Sequence, residues 1–118
     1  MFLNDLYTIT ETDSSAGQIN SEIKINGGHR LFKGHFPGEP VTPGVVQLQI
    51  VKEILEAHLQ KKLSMKSLRV CKFLSILNPE ITPVVQIRIN YKQAEMLEVA
   101  SSGEFGETVF FKAQTSYL

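Results

Sequence analysis

The sequence predicts an α+β fold, in which one buried helix packs against an antiparallel sheet. Val45 to Leu63 carries apolar residues at three- and four-residue spacing, which is typical of a helix. The segments around it alternate between apolar and polar residues, as strands with one buried face do. Two such strands come before the helix and four follow it, and this order is characteristic of the α+β class.

The six strands are predicted from alternation and from β-branched residues, and they end at turn signals such as Gly27-Gly28. The turn of the last pair is predicted at Gly103-Glu104-Phe105-Gly106. The predicted strands are Phe2 to Glu11, Gly17 to Ile25, Ser67 to Leu77, Ile81 to Tyr91, Met96 to Ser101 and Thr108 to Tyr117.

Length and composition indicate one globular domain, 1–118, with 42% hydrophobic and 20% charged residues. The formal net charge is zero, so nucleic acid is not indicated as a partner, and a near-neutral surface favours self-association. The single cysteine, Cys71, excludes an internal disulfide and a cysteine metal cluster. Neither a signal peptide nor an apolar run of about 18 residues is recognisable, so we expect a cytoplasmic location and no membrane span.

The segment from Phe32 to Gly44 is the least ordinary part of the chain, because three of the five prolines and three of the eight glycines lie in it. Neither a helix nor a strand tolerates this density, so the segment is predicted to be a loop of restricted shape. Such a loop would hold His35 at low entropic cost. Gly44 precedes the helix, where a backbone N–H at the positive end of the dipole could polarise a carbonyl.

This loop resembles the signature G-H-F-P-G-x-P-x-x-P-G of the bacterial 3-hydroxyacyl-acyl-carrier-protein dehydratases. The matching residues are Gly34-His35-Phe36-Pro37-Gly38-Glu39-Pro40-Val41-Thr42-Pro43-Gly44-Val45. Cys71 to Ser75, Asn78-Pro79 and Pro83 also resemble the strand that follows the helix in that family. The resemblance implies a hotdog fold, a curved antiparallel sheet wrapped around the helix, and a site formed between the two subunits of a homodimer.

The resemblance also implies the chemistry, which is the dehydration of a 3-hydroxyacyl thioester without a metal or a cofactor. His35 corresponds to the base that removes a proton from C2, and Gly44 to the backbone that polarises the thioester carbonyl. The resemblance implies that the rest of the loop contacts the acyl substrate, through Phe36, Pro37, Gly38, Pro43 and Val45.

One expected catalytic carboxylate is absent. In the family, a Glu or Asp fourteen residues after the histidine, supplied by the other subunit, protonates the departing hydroxyl. Here that position is Gln49, and an amide cannot deliver a proton. Glu53 lies one turn further, where many family members have Gln, so the two residue types are exchanged. Glu53 either serves as the acid or belongs to a solvated stripe with Glu56 and Gln60.

Four alternatives stay open at this point. His35 could handle both protons while Gln49 orients a water molecule. The chain could instead bind acyl groups without dehydrating them, or form a heterodimer with an active paralogue, and Gln49 favours either of these roles. A thioesterase is the remaining alternative, because hotdog folds also host that reaction.

A run of basic residues follows the helix, with no acid between Glu56 and Glu80. Such a run is usually a solvated surface, but acyl carrier proteins are acidic, so it is also a candidate docking site. The candidate docking residues are Lys61, Lys62, Lys66 and Arg69. The acyl chain length, the choice between a carrier protein and CoA, and the pathway (fatty-acid synthesis or a polyketide or polyene route) are left open.

Overall fold

The computed structural model of the protein describes residues 1–34 and 40–118. The predicted order of two strands, one long helix and four strands is confirmed. The elements are β1 (Tyr7–Ser15), β2 (Gln18–Ile25), α1 (Gly44–Leu59), β3 (Met65–Phe73), β4 (Val84–Gln93), β5 (Leu97–Phe105) and β6 (Thr108–Tyr117), with a short 3₁₀ helix at Arg30–Gly34.

The six strands form one antiparallel sheet in the order β1-β2-β4-β5-β6-β3. Because side chains alternate across a strand, β2, β4, β5 and β6 each bury one face. The apolar faces of β2, β4, β5 and β6 form one core with the buried side of α1. This core includes Ile19, Ile23, Val85, Ile87, Ile89, Val99, Phe111 and Tyr117 from the sheet, and Val46, Ile50, Val51, Ile54 and Leu55 from the helix.

The helix ends at Leu59 and not at the predicted Leu63. Gln60 adopts a left-handed backbone conformation with φ 55°, which terminates the helix although no glycine or proline marks the position. The Glu56 carboxylate then accepts a hydrogen bond from the Leu63 N–H at 2.9 Å. Leu63 is buried in the core from outside the helix, and this explains why it continued the apolar periodicity.

The predicted turn at Gly103 to Gly106 is wrong by three residues at its start, because Gly103 lies inside β5. The turn consists of Gly106 and Glu107, and Gly106 has a φ of +59°. A Cβ atom at Gly103 would lie 2.5 Å from the Phe111 ring, so this glycine makes room for a core aromatic residue.

Strand β3 also ends earlier than predicted, at Phe73 instead of Leu77. Leu77 is nevertheless buried, and its carbonyl accepts a hydrogen bond from the Thr42 N–H at 2.8 Å. The segment after β3 therefore returns to the start of α1 and fixes the backbone just before the helix.

Candidate active site

The N-terminus of α1 is built around the backbone of Pro43 and Gly44. The Pro43 carbonyl accepts hydrogen bonds from the N–H groups of Val46 and Gln47, at 3.1 and 3.2 Å. The N–H groups of Gly44 and Val45 belong to the first turn, where a helix offers them no acceptor of its own. They lie at the positive end of the helix dipole, which is where a thioester carbonyl would be polarised.

Phe73, the last residue of β3, lies directly against Gly44. A Cβ atom at position 44 would be 2.3 Å from Phe73 Cζ and 2.6 Å from Cε2, so no residue with a side chain fits there without movement. Phe73 is 51% exposed, so its ring packs beside Gly44 and also reaches the protein surface. Phe73 belongs to the motif from Cys71 to Ser75, but nothing in the sequence indicated its contact with Gly44.

A buried polar pair, Thr42 and Gln47, lies next to the same helix terminus. Gln47 is 4% exposed and its Nε2 donates to the Thr42 carbonyl at 3.0 Å. Thr42 is 2% exposed, and its N–H is bound by Leu77. The pair thus holds the two residues before Gly44 between the helix and the segment after β3. Gln47 was not predicted from the sequence, although it is the one amide in an otherwise apolar turn.

The structure describes only some of the predicted loop residues. His35, Phe36, Pro37 and Gly38 lie outside the described residues. Val45, predicted to contact substrate, is 75% exposed on the first turn of α1.

Glu53 is not part of a solvated stripe, because it is 6% exposed and its carboxylate is surrounded by donors. Its Oε1 accepts hydrogen bonds from the Leu3 N–H at 2.8 Å, the Phe2 N–H at 3.1 Å and the Tyr7 hydroxyl at 3.2 Å. Its Oε2 accepts from the Phe2 N–H at 3.1 Å and from Gln49 Nε2 at 3.0 Å. Glu53 therefore ties the N-terminal segment and β1 to the helix.

These contacts favour the ionised form of Glu53. Burial alone would raise its pKa, but the hydrogen bonds from Gln49 and from the Phe2 and Leu3 amides outweigh it and hold the pKa below the usual value. The Tyr7 hydroxyl responds in the opposite direction, since burial and the neighbouring carboxylate raise its pKa. A general acid must hold a proton before it can deliver one, and this environment disfavours the protonated carboxyl.

The residues of the basic run lie in two different environments. Lys61 and Lys62 are exposed and border a depression of about 450 Å³ that Leu3, Glu53, Glu56 and Gln60 also line. Lys66 is exposed on β3, whereas Arg69 donates to the Glu98 carboxylate of β5 at 3.0 and 3.1 Å. Of the candidate docking residues, Arg69 thus has its charge partly compensated within the chain.

An apolar strip follows the β3 edge of the sheet. Strand β3 is the last in the sheet order, so one of its backbone edges has no strand beside it within the described residues. Exposed edges of this kind are usually covered in the native assembly. The exposed apolar side chains on this strand and on the segments after it are Met65, Leu68, Val70, Phe73, Leu74, Ile76 and Ile81.

Neither a metal centre nor a membrane helix is found in the part of the chain that the structure describes. No group of three or more His, Cys, Asp or Glu residues there could hold a metal ion. No described helix has the length and hydropathy to cross a membrane.

Comparison with known proteins identifies the family. Residues 10–108 match the model of the ApeI-like family, described as ApeI dehydratase. The chain belongs to the ApeI-like dehydratase family. This confirms the predicted relationship to hotdog dehydratases.

Individual relatives of this ApeI-like dehydratase are distant. The 3-hydroxyacyl-[acyl-carrier-protein] dehydratase FabZ of Fusobacterium nucleatum is 20% identical over 93% of this chain and 82% of its own length. The bifunctional enzyme LpxC/FabZ of Porphyromonas gingivalis is 47% identical over 30 residues, which is 25% of this chain but only 6% of that enzyme.

A solved structure supports the fold. The dehydratase heterocomplex ApeI:P from Xenorhabdus doucetiae superimposes with a TM-score of 0.75 at 19% sequence identity, covering 92% of this chain and 95% of the other. The predicted hotdog fold is therefore confirmed.

Proposed function

We propose that this ApeI-like dehydratase converts a 3-hydroxyacyl thioester into the trans-2-enoyl thioester, with an acyl carrier protein as the substrate's carrier. The contact between Phe73 and Gly44 carries the proposal, because it joins the carbonyl-polarising position to the apolar edge of the sheet. A second hotdog chain paired along β3 would lie beside Gly44 and would close the site. We therefore propose a dimer across this edge, acting in the cytoplasm.

The proposed reaction needs two proton transfers, one away from C2 and one to the leaving hydroxide. His35 removes a proton from C2, and the electrons of the C2–H bond form the C2–C3 double bond while the C3–O bond breaks. The Gly44 N–H stabilises the negative charge that develops on the thioester oxygen. The leaving hydroxide takes up a proton and departs as water. Phe36, Pro37, Gly38, Pro43 and Val45 are proposed to contact the acyl group.

The source of the last proton distinguishes two versions of this function. In a homodimer, His35 must return the proton itself, because Gln49 cannot. In a heterodimer, a paralogue with Glu or Asp at the acid position supplies the proton to the site that holds this chain's His35. The engagement of Gln49 by the Glu53 carboxylate favours the second version. A similar protein forms a dehydratase heterocomplex, which is a further argument for it.

Mass spectrometry of carrier-bound 3-hydroxyacyl substrates of several chain lengths tests the proposal. We expect loss of water with the thioester intact, and no product with His35→Ala. Release of free thiol would instead indicate a thioesterase. If the purified chain forms no enoyl product alone but does so with a co-purifying hotdog protein that carries the acid, the heterodimer is the active form.

A further inference from the structure

The face of the sheet that points away from α1 carries a groove along β5. Side chains alternate along this strand, so Val99 and Ser101 are buried whereas Ala100 and Ser102 point outwards. Ala100 and Ser102 are small, so they form a low floor between the longer side chains of β4 and β6. The depression above this floor, here called the β5 groove, has a volume of about 380 Å³ and is also lined by Val70, Lys72, Arg88, Asn90, Lys112 and Gln114.

Cationic side chains gather at one end of the β5 groove. Ser102 lies opposite Arg88 of β4 and also opposite Lys112 of β6. Lys112 lies in turn opposite Lys72 of β3. Residues in this register point to the same face of a sheet, and their Cβ atoms are about 5 Å apart. Three cations and one hydroxyl therefore form a row across the outer face, and no acidic residue is among the described residues that line the groove.

The three cations differ in how far their charge is compensated. Arg88 Nε donates to the Glu104 carboxylate at 2.6 Å. Lys72 and Lys112 are exposed, and neither forms a salt bridge with any residue that the structure describes. Like charges directly opposite each other on neighbouring strands destabilise a sheet. An anion between the two ammonium groups would turn this repulsion into attraction.

We propose that the β5 groove binds a small phosphate-bearing ligand, whose phosphate oxygens bridge the ammonium groups of Lys72 and Lys112 and accept a hydrogen bond from the Ser102 hydroxyl. A phosphate suits this place because its several anionic oxygens can bind more than one cation at once. The amides of Asn90 and Gln114 lie on opposite walls of the groove and contact the rest of the ligand. The site lies on the opposite face of the sheet from α1, so it goes beyond the proposed dehydration and does not depend on it.

Titration of the full chain with sodium pyrophosphate tests the inference. Isothermal titration calorimetry measures binding, and sodium chloride keeps the ionic strength constant. We expect saturable binding of one pyrophosphate per chain. Lys112→Gln removes one charge-assisted hydrogen bond and should weaken binding by about tenfold. Lys72→Gln should have a similar effect, and absence of saturable binding in the parent protein would overturn the inference.

Lys24→Gln/Lys66→Gln is the matched control for the double variant Lys72→Gln/Lys112→Gln. Lys24 and Lys66 are also exposed on the sheet, on β2 and β3, but they do not line the β5 groove. The control gives the same change in net charge and should bind pyrophosphate as the parent protein does. Equal losses of affinity in the two double variants would show that only the net charge attracts the ligand, and the inference would be wrong.

Thermal unfolding provides a second measurement and shows that each variant folds. A ligand that binds only the folded state raises Tm, so pyrophosphate should raise the Tm of the parent protein more than that of Lys72→Gln/Lys112→Gln. Without pyrophosphate, Lys112→Gln should be at least as stable as the parent protein, because the like-charge pair is gone. If Lys72→Gln/Lys112→Gln binds pyrophosphate normally but an acyl carrier protein more weakly, the occupant of the groove is a protein surface and the inference is overturned.

Discussion

The first turn of α1 makes its contacts through the backbone, whereas the turns that follow make theirs through side chains. The first turn, from Gly44 to Gln47, makes its contacts through the backbone: the Pro43 carbonyl accepts from the Val46 and Gln47 N–H groups, and Phe73 packs where a side chain of residue 44 would be. The second and third turns, at Gln49 and Glu53, make their contacts through side chains that bind each other and the N-terminal segment. The residues proposed to polarise a carbonyl therefore match the family's motif, whereas the family's acid position holds an amide that binds the Glu53 carboxylate.

Restoring an acid to the second turn should have the largest effect. Gln49→Glu places two carboxyl groups in contact, and the repulsion between them raises the pKa of one, so that it keeps a proton near neutral pH. If the missing acid limits turnover, the rate of enoyl formation should rise by roughly 10²–10⁴-fold. The rate of product formation at several pH values measures this.

The double variant Gln49→Glu/Glu53→Gln is the appropriate comparison, because it restores the family's arrangement but removes the like-charge pair. The double variant should be active as well. As the pH rises, it should lose activity earlier than Gln49→Glu, because no neighbouring carboxylate raises the pKa of its acid. If Gln49→Glu is no faster than the parent protein, the lack of an acid does not limit this chain. If the parent protein forms enoyl product, His35 then handles both protons; if it forms none, an acyl-binding role is the better account.

Filling the space at Gly44 should have the second largest effect. Gly44→Ala places a methyl group against the Phe73 ring, so either the ring or the backbone must move away from its present position. Alanine keeps its N–H, so kcat falls to the extent that the backbone moves and carries this N–H away from the thioester oxygen. Loss of one oxyanion-stabilising N–H typically lowers kcat by roughly 10²–10³-fold, which is the upper limit of the expected decrease. Phe73→Ala in the same chain frees the space and should recover part of the activity. Full activity of Gly44→Ala alone would show that the ring moves and the backbone does not, and would refute the expected displacement of the N–H.

Removal of the Glu53 carboxylate should lower the free energy of unfolding, because several hydrogen bonds lose their acceptor. Glu53→Leu leaves the Phe2 and Leu3 amides without their acceptor, so we expect a loss of about 1–3 kcal/mol in the free energy of unfolding. Glu53→Gln, which keeps one acceptor, should lose less. Denaturant unfolding at neutral pH measures both, and Glu56→Gln serves as the control.

The acid side of the stability profile should change with Glu53. Its pKa is lowered in the folded protein, so its contribution is fully present above the unfolded-state pKa and is lost as the pH falls through the folded-state value. The parent protein should therefore lose more stability than Glu53→Gln between neutral and acidic pH. Parallel profiles for the two proteins would show that the carboxylate is not held in its ionised form by the fold.

The sequence was sufficient for the fold and for the start of α1, but not for the contacts that the helix makes. The fold follows from periodicities of two and of three to four residues, and the loop is marked by glycine and proline. The exchange of Gln49 and Glu53 was visible in the sequence, yet the burial of Glu53 was not. Its partners are the backbone amides of Phe2 and Leu3, about fifty positions away in the chain, and backbone groups leave no trace in a residue pattern.

The smallest expected effect concerns the end of α1, where Lys61 and Lys62 are exposed beside the depression near Glu56. Reversal of both lysines to Glu should weaken the binding of an acidic carrier protein by severalfold at low salt, because the attraction becomes repulsion. The difference should shrink as salt rises, since the screening length is about 10 Å at 0.1 M ionic strength.

The matched control reverses Lys24 and Lys92, which are exposed on β2 and β4 and give the same change in net charge. Equal losses in the two double variants would show that net charge alone attracts the carrier, and unchanged affinity in both would remove Lys61 and Lys62 as docking residues. A loss confined to the Lys61 and Lys62 variant would place the carrier next to the Gln49 and Glu53 turn.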